Sequence, residues 1–287
     1  MLEGSEKYLG GDVSAETGIV YTIPGRARYV VAIDPTQEPP TVTRIGPPFP
    51  GHFKWLRGVY TSHKGIIYGI PCHADSILRI DTRTNEVSTV TWDAKDPKAP
   101  PIGMPWKFHG GNLSPIDNCI YCIPQRAPYV LKLDPETEDI SFLGDEPLVG
   151  VCKWYGGLLG KPDGAIYGIC NNARGVLRIN VQDQTVEVHY PTIVDDATGK
   201  EIPQPLPEGG YKWHGGVVAP NGIIYGIPAH SDRVLRVGTN TSQYRARQCT
   251  GFAWESTHSR LTSVYFLLHF FWVARSYPVP NHTFLPF

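Results

Sequence analysis

Five lysines, each followed by an aromatic residue, recur along the 287 residues: Lys7-Tyr8, Lys54-Trp55, Lys107-Phe108, Lys153-Trp154 and Lys212-Trp213. An ammonium beside an aromatic ring suits a carboxylate, a phosphate or an acidic peptide. His109 and His214 stand two residues after their lysines, while His73 and His230 occupy a second recurring position. Asn171 and Asn172 fill that second position in another copy. Imidazoles change charge near neutral pH and ligate metals, so four gathered together would suit acid–base work or a metal ion. Their long separations, with no carboxylate at regular spacing, argue against a metal, and no cofactor is expected. No GxSxG, P-loop, HExxH or dinucleotide fingerprint occurs. Cys119 and Cys122 make a CxxC, but on a strand their side chains point to opposite faces and do not chelate. The lysines and aromatics also have a structural reading. A residue type kept in every copy serves packing, with the lysine stems lying on aromatics and the heads solvated. The histidines vary between copies and are therefore the more informative group.

A repeat positions these residues. Lys212–Pro228 reads KWHGGVVAPNGIIYGIP, with relatives beginning at Lys7, Lys54, Lys107 and Lys153. The lysines are separated by 47, 53, 46 and 59 residues, yet the step from Lys to the Pro position (Cys170 in the fourth copy) is 17 residues four times and 16 in the last. A fixed core with variable connections means one structural unit per copy. Asn221-Gly222 and Asp163-Gly164 between apolar runs are hairpin signals, because these residues tolerate positive φ. The Ile-Tyr-Gly-Ile run that follows suits a strand, and its proline ends it. A third strand begins six residues later, at Val30, Ile77, Val130 and Val176, and a weaker fourth follows, as at Glu86–Trp92 and Thr185–Tyr190. Four antiparallel strands per unit without helical periodicity predict an all-β fold, a β-propeller with five repeats visible. The count leaves open an incomplete six- or seven-bladed propeller.

Pro162-Asp163-Gly164-Ala165-Ile166-Tyr167 and Pro220-Asn221-Gly222-Ile223-Ile224-Tyr225 resemble the turn-strand signature of the propeller superfamily that includes YVTN and NHL repeats and the gluconolactonase-like and streptogramin-lyase-like proteins. The resemblance covers about residues 7 to 238. It implies that each unit's first strand lines a central channel, with the Lys-aromatic and Ile-Pro-x-x-Ala motifs around one mouth. That mouth would carry Lys107, His109, Lys153, Trp154, Lys212, Trp213, His214, His73, His230, Asn171 and Asn172. The gluconolactonase-like relatives use acidic and Asn ligands for a divalent cation. The matching loops here offer Asn171, Asn172, Asp75 and Asp232 without the glutamate such a site would want.

Bulk properties narrow the classes. A formal net charge of −1 gives no case for nucleic acid or an acidic membrane. Charged content of 18% with 30 Gly and 27 Pro fits short strands joined by tight turns. The N-terminal residues show no apolar signal region, and six cysteines in a chain this long do not make a disulfide scaffold, so a cytoplasmic protein with reduced thiols is expected. The propeller is expected over 1–238, with 239–287 a non-repeat tail. From Thr239 onward there is no Asp or Lys, and the apolar run Val264–Ala274 is too short to cross a bilayer. An outer strand or helix for the last blade, a partner-binding segment, or a non-native reading frame would each produce such a tail. The leading functional expectation is a non-catalytic binding or scaffold propeller for an anionic small molecule or acidic peptide. The alternatives are a gluconolactonase-like hydrolase or lyase with a divalent cation, and a structural fragment without activity.

Overall fold

The structure, a computed structural model, describes residues 5–194, 201–203, 205–238 and 244–247. All regular structure among them is β, and no helix there is long and apolar enough to cross a membrane. The first sheet is β1 (Tyr8–Val13), β2 (Val20–Pro24), β3 (Val30–Asp34) and β4 (Thr41–Ile45). The second is β5 (Trp55–Thr61), β6 (Ile66–Pro71), β7 (Ile77–Asp81) and β8 (Val87–Val90). The third is β9 (Phe108–Leu113), β10 (Ile120–Pro124), β11 (Val130–Leu133) and β12 (Ile140–Leu143). The fourth is β13 (Trp154–Leu159), β14 (Ile166–Cys170), β15 (Val176–Asn180) and β16 (Thr185–His189). A hairpin of β17 (Thr192–Val194) and β18 (Glu201–Pro203) comes next. The fifth sheet's core is β19 (Trp213–Val218), β20 (Ile224–Pro228), β21 (Val234–Val237) and β22 (Tyr244–Arg247). Each core is an antiparallel meander, and β17 joins the outer edge of the last one by pairing parallel to β22.

The first strands pack in succession, β1 on β5, β5 on β9, β9 on β13 and β13 on β19, and so form an inner ring. This is a β-propeller with five blades among the described residues. The turn between first and second strands needs positive φ in every blade. Gly18, Gly65, Asn118, Gly164 and Gly222 supply it, at 71°, 68°, 56°, 66° and 81°. The tyrosine of the second strand is buried in the first four blades and, in the first three, reaches forward, whereas Tyr167 Oη donates to Asp163 of its own blade. Tyr21 Oη donates to Asn85 Oδ1 at 2.7 Å, Tyr68 Oη donates to Glu138 Oε1 at 3.1 Å, and Gln184 Nε2 donates to Tyr121 Oη at 2.9 Å. Each partner lies in the β3–β4-type turn of the next blade, so one phenol both fills the interface and fixes its register.

Every inner strand carries a β-bulge where two residues face one on the second strand, just after the Lys-aromatic pair in four blades and one residue later in the fourth. The bulge swings one side chain toward the channel and brings the next backbone unit against the neighbouring blade. A Cβ on Gly110 would stand 2.4 Å from Gly156 O, and one on Gly10 would stand 2.8 Å from Arg57 Cα. On Gly215, in the fifth blade, it would meet nothing within 4 Å among the described residues. Packing comparable to the four junctions does not join β19 to β1 there either. The ring of described blades is open at that point.

The tail contributes β22 to the fifth blade through antiparallel pairing with β21, so the blade has its four strands. Chain contacts separate residues 1–250 from 251–287, and the second segment, including Val264–Ala274, lies outside the described residues. The two Pro-rich connections differ: Asp96–Pro105 has no strand, whereas Pro191–Pro207 contains β17 and β18.

The same substitution at two bulges tests this arrangement. Gly110→Ala should destabilise by about 3 kcal/mol or more, because steric overlap adds to left-handed strain. Gly215→Ala should cost only about 1–2 kcal/mol, the strain alone. Equal losses in denaturant unfolding would mean that Gly215 also faces a neighbouring blade.

Candidate functional site

The lysines do not form an exposed ring of ammonium groups. Lys54, Lys107, Lys153 and Lys212 are 5%, 0%, 1% and 7% exposed. Lys54 Nζ donates to Gly25 O at 2.8 Å and Ala27 O at 2.9 Å, both in the preceding blade, and to Gly51 O at 3.3 Å. Lys107 Nζ donates to His73 O and Met104 O and pairs with Asp75 Oδ1 at 2.7 Å. Lys153 Nζ donates to Ala127 O and Gly150 O, and Lys212 Nζ to Pro207 O and Gly209 O. The backbone repeats the link: Lys54 N, Lys107 N, Lys153 N and Lys212 N donate to Gly25 O, Cys72 O, Gln125 O and Asn171 O of the preceding blade. These lysines tie blade to blade. Their heads are desolvated on carbonyls, a deeper burial than stems packed with solvated heads.

Trp154 and Trp213 are also structural. Their indole N–H groups donate to Gly175 O and Arg233 O within their own blades, as Trp55 donates to Ser76 O. Asn171 is buried and donates to Trp213 O, while its Oδ1 has no partner. Asn172 accepts from Tyr211 N. Asp75 is held by Lys107 and the Gly103 amide, and Asp232 is exposed beside Arg233. Asn171, Asn172, Asp75 and Asp232 therefore do not converge on one point. No group of three or more His, Cys, Asp or Glu side chains suited to a metal occurs among the described residues. Cys119 and Cys122 belong to different hydrophobic clusters, on opposite sheet faces, and burial pushes Cys119 up to about 12.

The structure does bring His109 and His214 together, with Tyr155 between them. The residue after the aromatic is Leu9, Leu56, His109, Tyr155 and His214 in the five blades; it opens the bulge in four of them, while Tyr155 still pairs with Ile169 just before its own bulge. The ring centroids of His109 and Tyr155 are 4.2 Å apart, those of Tyr155 and His214 4.5 Å, and those of the two imidazoles 5.7 Å. One half of the mouth is thus apolar and the other carries two imidazoles and a phenol. Gln125 Nε2 donates to Tyr155 Oη at 3.0 Å, and the buried Gln125 Oε1 has no partner. Burial and the nearby Cys152 push the Tyr155 phenol above its ordinary value, keeping it protonated.

A second set of side chains surrounds that mouth. The residue before each lysine, Glu6, Phe53, Trp106, Cys152 or Tyr211, has φ between 45° and 57°. Its carbonyl accepts the amide of Arg26, His73, Arg126, Asn172 or His230. Arg26 lies 4.7 Å over Phe53, Phe53 packs 4.8 Å from Trp106, and His73 packs edge-on against Trp106 at 4.7 Å. Burial, then Lys107, Arg126 and His52, hold His73 below its ordinary value. His230 packs beside the exposed Tyr211. Tyr155, Gln125, Arg126 and this aromatic rim were not singled out from the sequence, because their residue types carry no chemical signal of their own and gain one only from the neighbouring blades.

The fold and this mouth define a β-propeller protein. No protein-family model matches the chain, and no curated protein matches it. Among solved structures, it is similar to virginiamycin B lyase from Staphylococcus aureus, with a TM-score of 0.59, 16% identity, and coverage of 87% of this chain and 72% of that one. It is also similar to a catalytically inactive histidine-to-alanine variant of that organism's virginiamycin B lyase with quinupristin, at TM-score 0.51, 14% identity and 87% coverage of both chains. A third is the extracellular domain of a hybrid two-component system from Bacteroides thetaiotaomicron, with TM-score 0.56, 10% identity, and coverage of 86% of this chain and 31% of that one. At these identities the likeness establishes the fold.

The buried lysines make stability depend on pH. Loss of hydration holds Lys153 down to about 7 and Lys54 to about 8, and lowers Lys212 too. A lysine with a folded value below its unfolded value binds fewer protons when folded, so stability rises with pH between the two values. Unfolding free energy should therefore increase from near pH 7 toward about pH 10, the ordinary lysine range. Lys153→Met should be less stable throughout and show a shallower rise in denaturant titrations at several pH values. An unchanged slope would mean that Lys153 keeps an ordinary pKa.

Proposed function

We propose that the protein is a binding propeller that takes a small anionic ligand at its channel mouth, on His109, Tyr155 and His214 rather than on the repeated lysines. The observation that carries this reading is the three-ring cluster. Three consecutive blades replace the leucines of the first two with groups that stack on, donate to and carry charge toward a ligand. Arg26 and Arg126, interleaved with the rings of Phe53, His73 and Trp106, make the rim basic and aromatic, which favours an anion with a flat face. Titration calorimetry with benzoate and with inorganic phosphate provides the test. Saturable binding of at least one, weakened about tenfold or more by His109→Ala with His214→Ala, is expected from the loss of charge-assisted hydrogen bonds. Binding of neither probe, or equal binding by the variant, would sink the reading.

A hydrolase or lyase is the second reading, favoured by two imidazoles flanking one phenol. One imidazole would take a proton while the other supplies one to a leaving oxygen. Similarity to a lyase with a catalytically inactive histidine variant keeps this reading in play. Turnover in a lactone screen that His214→Ala abolishes would favour it over simple binding.

A further inference from the structure

The connection entering each blade is held by main-chain bonds. Phe49 N, Leu148 N and Leu206 N donate to Arg28 O, Pro128 O and Arg174 O of the preceding blade. Three residues before each buried lysine, the carbonyl of Gly51, Met104, Gly150 or Gly209 accepts its ammonium. These bonds need only backbone, so the side chains of the connection are not dictated by the scaffold. Two residues before the lysine stand His52, Pro105, Val151 and Gly210 in the second to fifth blades. Where the fourth and fifth blades carry Leu148 and Leu206, the second carries Phe49. The second blade alone thus combines an aromatic and an imidazole in this connection, with the imidazole of His73 in the loop after β6.

These residues line a cavity of about 500 Å³, whose walls include Phe49, His52, Trp55, His73, Ala74 and Thr89. That volume is within the range of small-molecule sites. Phe49 and Trp55 form its apolar side, with ring centroids 5.1 Å apart and edge-to-face. Trp55 Nε1 already donates to Ser76 O at 2.7 Å, so Trp55 offers a ligand its ring rather than its donor. No carboxylate stands among the lining residues. His73 Nε2 is buried without a partner, which leaves a polar contact with a ligand to Nδ1. Lys107, Arg126 and His52 all act electrostatically on His73, and of these Lys107 is offset by Asp75 at 2.7 Å. The histidine side of the cavity is therefore electropositive. We propose that this cavity is a second ligand site, for a planar aromatic molecule carrying a carboxylate, with the ring along Phe49 and Trp55 and the carboxylate beside His52 and His73. Aromatic burial supplies the contact area, and imidazole N–H groups supply charge-assisted hydrogen bonds. The site needs neither His109 nor His214 and goes beyond the mouth reading.

The test is titration calorimetry of the full chain with naphthoate and with naphthamide, which keeps the rings and loses the charge. Naphthoate should bind saturably, and naphthamide about tenfold more weakly or worse. His52→Ala with His73→Phe, which keeps a ring against Trp106, should weaken naphthoate by about tenfold or more. Thr89→Trp should block naphthoate by filling the open side of the cavity, with the melting temperature unchanged, because Thr89 is exposed on β8 and a tryptophan suits a strand. The two variants act separately, so a folding failure in one leaves the other to decide. Naphthoate binding at wild-type strength in a folded variant overturns the proposal, as does equal binding of naphthoate and naphthamide or no saturable binding by the wild type. If the His109→Ala, His214→Ala variant loses naphthoate while Thr89→Trp keeps it, the ligand sits at the mouth, and this inference alone falls. The reverse pattern supports the cavity and leaves the mouth reading to its own test.

Discussion

A lysine ammonium sunk into backbone carbonyls at the seam between two blades is the interaction on which the remaining architecture depends. An ammonium leaves water at a large cost unless acceptors replace its hydration. Here Gly25, Ala27 and Gly51 replace it for Lys54, and equivalent loops do so for Lys107, Lys153 and Lys212. The same residue's amide bonds to the preceding blade, so Lys54, Lys107 and Lys153 fix their seams with main chain and side chain together, and Lys212 does so with its amide while its head ties down the entering loop. Turn positions that would otherwise strand their carbonyls inside the molecule are thereby satisfied. The phenols of Tyr21, Tyr68 and Tyr121 repeat the logic farther from the axis.

Because the seams use the lysines, the mouth is left to residues that vary. Its chemistry is graded around the ring, from leucines in the first two blades to imidazoles and a phenol in the last three. The described ring ends at Gly215, where a Cβ would meet nothing within 4 Å among the described residues, and Lys7 in the first blade is only partly buried. At the outer edge of the fifth blade β17 pairs with β22, covering a strand edge that would otherwise be open to another chain.

Much of this architecture was legible in the sequence. Near-constant spacing from Lys to the Pro position marked the blades, and Asn-Gly and Asp-Gly marked two of the hairpins because only a few residue types tolerate their φ. The opposite faces of Cys119 and Cys122 followed from strand alternation. The lysine heads were not legible: composition says that a lysine and an aromatic recur, while the direction of the side chain is set by carbonyls from a distant turn. Tyr155 was hidden for a similar reason, since its significance comes from His109 and His214 in neighbouring blades. The fourth strand of the last blade was obscured by a composition unlike that of its counterparts.

The account places the repeated lysines in the seams and the variable residues at the mouth. Amine-reactive labelling of the native protein, read residue by residue by mass spectrometry, tests this division directly. Lys54, Lys107, Lys153 and Lys212 should label far more slowly than the exposed Lys95 and Lys161, and should reach the same rate only after unfolding. Native-state labelling of those four as fast as Lys95 would contradict the account, returning the lysines to the mouth as an exposed cationic ring.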